Sequence, residues 1–255
     1  MSISQIEFLK IERKLGLTPS SVDYTKIRNA VEVLNVAFLK IATRELQYVL
    51  SQPNNANRNN LFERLMNFYN DRVREHQAMF LLMHIIETAL RSKAASVVSK
   101  KFSTSVSVDD WWYDLRNIDK NLIEPVTLGI KEAHRISTTP QDLTTFDLFD
   151  SITFNQLLNV YDNFWTEFKN SFVTKSYKKH QLPAITEKQF KSKMMHIRKA
   201  RNDIAHHKPI NHSHGRKRKD LIEDIELILC HLGFNLDDAV NNIDPKQTII
   251  SLKYI

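Results

Sequence analysis

Only 4 glycines and 7 prolines interrupt 255 residues, and none of them falls between Leu61 and Phe102. So few breakers predict long helices, and so few glycines exclude a glycine-rich phosphate loop. Apolar spacing points the same way. Ile3, Ile6, Leu9 and Ile11 predict a short amphipathic helix ending near Leu15-Gly16. A second helix should open at Pro19-Ser20-Ser21 and carry Ile27, Val31, Leu34, Phe38 and Ile41 to about Leu50. The stretch Leu61 to about Phe102 reads as one long helix. Its centre, Phe80 to Arg91, is apolar nearly all round, as in the buried middle of a bundle. Further helices are expected at 117–136, 153–173, 187–207 and 219–233, with a turn over Asp147–Thr153 and a loop from Lys208 to Arg218. Residues 247–255 fit a short strand or a tail equally well, and no strand-turn-strand rhythm is present. The expected fold class is an all-α bundle.

The polar, aperiodic stretch Ser51–Asn60 is the best linker in the chain. It divides an N-terminal helical segment, 1–58, from a helical core, 59–255. Apolar residues make up 42% of the chain, enough for an ample core and too many for a disordered polymer. No apolar run reaches the roughly 18 residues of a membrane helix, and the N-terminus lacks a signal-peptide profile. The single cysteine, Cys230, rules out an intramolecular disulfide framework. Together these features lead us to expect a cytoplasmic protein with no membrane partner.

Charge is concentrated. Between Lys175 and Lys219 stand 14 lysines and arginines against two acids, Glu187 and Asp203. That lobe is formally +12, which leaves −5 for the remainder of a chain whose total is +7. One basic lobe on an acidic body fits a polyanion-binding face, and equally a solvated helix followed by a basic loop.

Inside the lobe lies Arg201-Asn202-Asp203-Ile204-Ala205-His206-His207-Lys208-Pro209. On a helix, Asn202 and His206 are four apart and share a face, with Arg201 beside them. Pro209 requires the helix to stop just past the histidines. A histidine can exchange a proton near neutral pH and a guanidinium can brace a phosphorane, so this trio suits metal-free phosphoryl chemistry.

This run resembles the Arg-Asn-x-x-x-His signature of HEPN ribonuclease domains, and more narrowly the abortive-infection, Abi-like branch. Two further stretches resemble that branch: His84-Ile-Ile-Glu87-Thr-Ala-Leu-Arg91 followed by Trp111-Trp112-Tyr113, and Leu148–Leu158 followed by Tyr161 and Phe164-Trp165. Asn155 stands where the family usually has glycine. The matching stretches cover about residues 61–235. The resemblance implies a HEPN-type helical bundle with an additional N-terminal segment, usually a homodimer with two Arg-x4-His motifs facing one another. It implies RNA cleavage without metal or cofactor. His206 would be the general acid/base, Arg201 the phosphate stabiliser, Asn202 an orienting partner, and Glu87, Arg91 and His207 supports behind them. Lys199, Lys208, Arg216, Lys217, Arg218 and Lys219 would grip the RNA backbone. A cognate antitoxin or a structured non-coding RNA is a further expected partner. The alternative is a HEPN-fold module that binds RNA or protein without cutting.

Simpler readings accompany each residue. Glu87–Arg91 is at least an intrahelical ion pair, and His near a helix C-terminus suits the dipole. Trp111, Trp112, Phe164 and Trp165 are expected in the core before any role in base stacking. His206, His207, His212, His214, Cys230 and His231 lack recognisable ligand spacing, so no metal is expected. Cys230, in an apolar run, should be a buried, inert thiol.

Overall fold

The computed structural model describes residues 2–53, 58–105, 108–114, 116, 118–135, 142–209 and 218–234. Among them the fold is all-α: ten α-helices and one short hairpin. None of these helices is long and apolar enough to cross a membrane. The described residues fall into two compact units. One takes the chain up to Phe80 and the segment from Asn202 to Pro209; the other takes Leu81–Arg201 and the residues from Arg218.

In the first unit, α1 (Ile3–Leu15) begins in a capping box between Ser2 and Gln5. It ends on Gly16, whose φ of 60° closes the helix in the left-handed region. The helix expected from Ser21 to Leu50 is in fact two, α2 (Val22–Val33) and α3 (Val36–Leu50). The break has a side-chain cause. Leu34 is extended, and Asn35 Oδ1 accepts the amides of Ala37 (3.0 Å) and Phe38 (3.3 Å), so Asn35 caps a new helix. Next comes α4 (Leu61–Phe102), 42 residues without interruption, as the scarcity of breakers predicts. Its first amide, Leu61, donates to Asp23 Oδ2 at 2.9 Å. Phe8, Ile11, Leu15, Ile27, Phe38, Leu39, Leu46, Leu65 and Tyr69 form the core of this unit.

The second unit contains the rest of α4, then α5 (Ile123–Arg135), α6 (Thr145–Asp150), α7 (Phe154–Asn163) and α8 (Trp165–Phe168). A 3-10 turn, Lys169–Phe172, leads to β1 (Lys175–Tyr177) and β2 (His180–Leu182). Last are α9 (Glu187–Ala205), which continues into the first unit from Asn202, and α10 (Arg218–Leu232). α5 starts at Ile123 rather than 117. That start places Pro125 in the first turn, where a missing N–H costs no intrahelical bond. The expected turn over Asp147–Thr153 is mostly helical: Thr144 and Asp147 form a capping box that starts α6, and only Ser151–Thr153 turns. The segment 153–173 is three helical pieces, not one. The hairpin also departs from expectation. It pairs Lys175 with Leu182 and Tyr177 with His180 across Lys178, whose φ is 51°. The loop expected at 208–218 and the segment 247–255 lie largely or wholly outside the described residues, although Arg218 already belongs to α10.

Aromatic side chains fill the core of this unit. Trp165 stacks on Phe172 at 5.5 Å, and Phe190 packs against both. Tyr161 is completely buried and donates its hydroxyl to the Leu90 carbonyl at 3.0 Å. Trp111, Trp112 and Phe164 are buried too, as expected of core aromatics, and Trp111 Nε1 donates to Thr145 Oγ1 at 2.7 Å. Cys230 is a buried free thiol.

Candidate active site

Helix α9 begins in a capping box: the Gln189 amide donates to Thr186 Oγ1 (3.3 Å) and the Thr186 amide to Gln189 Oε1 (2.9 Å). Phe190, Met194, Ile197, Ala200 and Ile204 are its buried stripe. Arg201 follows Ile197 by four residues and precedes Ile204 by three, so it occupies a place in that stripe where an apolar side chain would ordinarily sit.

Its charge is met by Glu87. Arg201 Nε donates to Glu87 Oε2 at 3.3 Å, and the other carboxylate oxygen, Oε1, accepts from Arg91 at 2.6 Å. Arg91 is itself anchored. One guanidinium nitrogen donates to the carbonyls of Phe149 (2.5 Å), Ile152 (2.6 Å) and, more weakly, Asp150 (3.4 Å). These carbonyls lie at and just beyond the C-terminal end of α6, where the helix's own ladder of hydrogen bonds runs out. The Glu87 and Arg91 side chains retain only 16% and 14% of their exposure, while Arg201 keeps 38%. The result is a ladder from the backbone of the α6–α7 turn through Arg91 and Glu87 to a half-exposed Arg201. Asn155, in the first turn of α7, accepts a hydrogen bond from Arg198 of α9, so this position makes a side-chain contact that a glycine there would lack.

The end of α9 belongs to the first unit. Asn202 and His206 are both exposed, and the His206 amide donates to the Asn202 carbonyl at 3.1 Å. The helix closes in a Schellman arrangement, with the Lys208 amide on the Asp203 carbonyl (2.8 Å) and the His207 amide on that of Ile204 (2.9 Å). His207 has φ 51°, the left-handed conformation usually left to glycine. Its ring lies 5.7 Å from that of His76, and its carbonyl accepts Asn35 Nδ2 at 3.0 Å. His76 Nε2 faces the Ile204 carbonyl at 3.0 Å, so that nitrogen carries the proton. Burial is the chief influence on the His76 imidazole and lowers its pKa; the Ile204 carbonyl opposes this, and His207 adds to it. Neither His76 nor Asn35 stands out in the sequence: His76 lies in the polar run Arg74-Glu75-His76-Gln77, and Asn35 is a lone polar residue between Leu34 and Val36.

Residues 40–212, more than half of the chain, match the family model described as Abi-like protein. The chain belongs to the Abi-like protein family. No curated protein and no solved structure matches it. The Abi-like match begins within α3 and ends before α10, so it starts earlier and stops sooner than the 61–235 suggested by the sequence motifs. It contains Glu87, Arg91, Arg201, Asn202, His206 and His207.

Of the basic residues singled out in the sequence, Lys199 and Lys208 are exposed, and Lys219 is exposed 3.8 Å from Glu223 in the first turns of α10. Arg218 is the half-buried first residue of α10; Arg216 and Lys217 lie outside the described residues, as do His212 and His214. Among the described residues no three of His, Cys, Asp and Glu come together as a metal-binding group.

Proposed function

We propose that this Abi-like chain is a metal-independent endoribonuclease of the HEPN type, serving a prokaryotic abortive-infection or toxin system in the cytoplasm. The observation that carries the reading is the way Glu87 engages Arg201. Among the described residues the one hydrogen bond of the Arg201 side chain is through Nε, to a carboxylate fixed by Arg91, and the same helix ends on an exposed His206. A guanidinium held by Nε is directed without using its two terminal nitrogens, the fork that suits two phosphate oxygens.

In this mechanism the ribose 2′-hydroxyl attacks the adjacent phosphorus and the bond from phosphorus to the 5′-oxygen breaks. One imidazole takes the hydroxyl proton, and a second gives a proton to the departing 5′-oxygen. The products are a 2′,3′-cyclic phosphate and a 5′-hydroxyl. Two copies of His206, from the two chains of a homodimer, supply the base and the acid. Arg201 neutralises the charge that grows on the non-bridging oxygens, and Asn202 orients its neighbour on the helix. Lys199, Lys208, Arg216, Lys217, Arg218 and Lys219 are assigned to the RNA backbone. A cognate antitoxin or structured RNA would restrain the enzyme.

The test is purified protein on single-stranded RNA with EDTA present. Arg201→Ala and His206→Ala should each lower cleavage by about 100-fold or more, with cyclic-phosphate ends on the wild-type products. Cleavage that requires a divalent metal, or that survives both substitutions, overturns the proposal. Tight, salt-sensitive RNA binding without products would identify a binding module instead.

A further inference from the structure

We propose that Asn35 and His76 are positioning residues for His206, a proposal that rests on the nuclease reading above. The α9 terminus is a costly one. A Schellman ending wants glycine at the position held by His207, and a residue with a Cβ pays about 1 kcal/mol to stand there. Left to itself, a helix end of this kind frays. This one is held from outside at the carbonyls on either side of His206.

On the N-terminal side, His76 donates from Nε2 to the Ile204 carbonyl at 3.0 Å. On the C-terminal side, Asn35 donates from Nδ2 to the His207 carbonyl at 3.0 Å. Neither donor is free to wander. Both ends of the Asn35 amide are committed, because its Oδ1 is the cap of α3, and its backbone amide donates to the Tyr69 hydroxyl at 3.2 Å. The His76 ring is set edge-on against Phe38 at 5.3 Å and lies beside the His207 ring. The backbone at Ala205-His206 is therefore pinned on both sides, while the His206 side chain stays exposed. A general acid/base works only within hydrogen-bond reach of its proton, so a clamp on the backbone bearing it is worth rate rather than substrate affinity.

Three variants isolate the clamp. Asn35→Ser keeps a hydroxyl cap for α3 but loses the donor to His207. His76→Leu removes the donor to Ile204, and His76→Gln restores an amide donor of similar reach. We expect N35S and H76L to lower kcat for RNA cleavage by about 10- to 100-fold with KM within about twofold, and H76Q to recover most of the loss. In parallel, the Lys208 amide should exchange faster in N35S and H76L than in wild type or H76Q, and the His206 imidazole resonance should broaden in the same two variants. Folded N35S and H76L proteins with wild-type kcat, or an H76Q no better than H76L, overturn the proposal. If the wild-type protein does not cut RNA at all, the nuclease reading fails and so does a catalytic use for the clamp. Amide exchange then still decides whether the clamp itself exists, because unchanged Lys208 protection in both variants removes it.

Discussion

Glu87 holds Arg201 by a single nitrogen: Oε2 accepts the Nε–H at 3.3 Å, while Oε1 of the same carboxylate accepts from Arg91. One anion thus serves two cations in a half-buried setting, and the two contacts have different purposes. The Arg91 side is structural, because Arg91 is spent on backbone carbonyls. The Arg201 side is directional, because it fixes one edge of a guanidinium that keeps more than a third of its exposure.

Replacing Glu87 with Gln should therefore have two separable effects. The shape is kept, but two arginines lose their shared counter-charge, and stability should fall by about 1–3 kcal/mol in a denaturant melt. Cleavage should fall further than instability explains, by about 10-fold or more at temperatures where the variant is folded. An E87Q protein that melts early yet retains wild-type kcat/KM would show that the Arg201 contact does not direct the guanidinium.

Arg91→Lys tests the other side of the same carboxylate. An ammonium is a point donor and cannot reproduce the planar fork that reaches Glu87 and the Phe149, Asp150 and Ile152 carbonyls together. The expected cost is about 1–3 kcal/mol, and amide exchange should rise first around Ser151–Thr153, where the carbonyls lose their donor. Uniform exchange with no local loss would assign Arg91 to nothing more than the ion pair.

How much of this was legible from residues alone follows from the range of the interactions. The long α4, and α9 and α10, could be read because apolar spacing and missing breakers act locally along the chain. The break at Leu34-Asn35 could not. No glycine or proline marks it; a single asparagine caps the new helix, and that asparagine is held in turn by Tyr69 and the distant His207 carbonyl. α6 is six residues long, too short for a period to show, and the hairpin turns at Lys178 without any of the residues that announce such a turn. The candidate site divides in the same way. Asn202 with His206, and Glu87 with Arg91, are written at helical spacing, but the link between Glu87 and Arg201 crosses 114 positions. Asn35 shows locally only as a helix cap and His76 as one more polar helix residue; their places beside α9 come from the distant carbonyls they meet.

His207 offers a stability test that separates backbone strain from side-chain contact. Glycine there removes the left-handed penalty, whereas alanine keeps it, and both lose the ring facing His76. His207→Gly should therefore be more stable than His207→Ala by about 1 kcal/mol in matched chemical melts. Equal stabilities would mean that the terminus relaxes out of the left-handed region once the histidine is gone.

Two histidines set an expected pH dependence of stability. His231 is buried with Nε2 2.9 Å from the Pro183 carbonyl and Nδ1 3.3 Å from that of Ser171, and Lys175 donates to its own carbonyl at 2.6 Å. Burial lowers its pKa most and Lys175 adds to that, against the opposing pull of the two carbonyls; His76 is lowered in the same sense. A folded value below the ordinary 6.5 means that the unfolded chain binds protons the native chain refuses. These groups therefore contribute their full stability above about pH 6.5 and lose it progressively as pH falls from there through the lower folded values. Denaturant midpoints measured from pH 8 to pH 5 should be flat at the upper end and fall below about 6.5. His76→Gln should shallow that fall by removing one of the two groups. A slope that H76Q leaves untouched would place the whole effect on His231 or on the carboxylates.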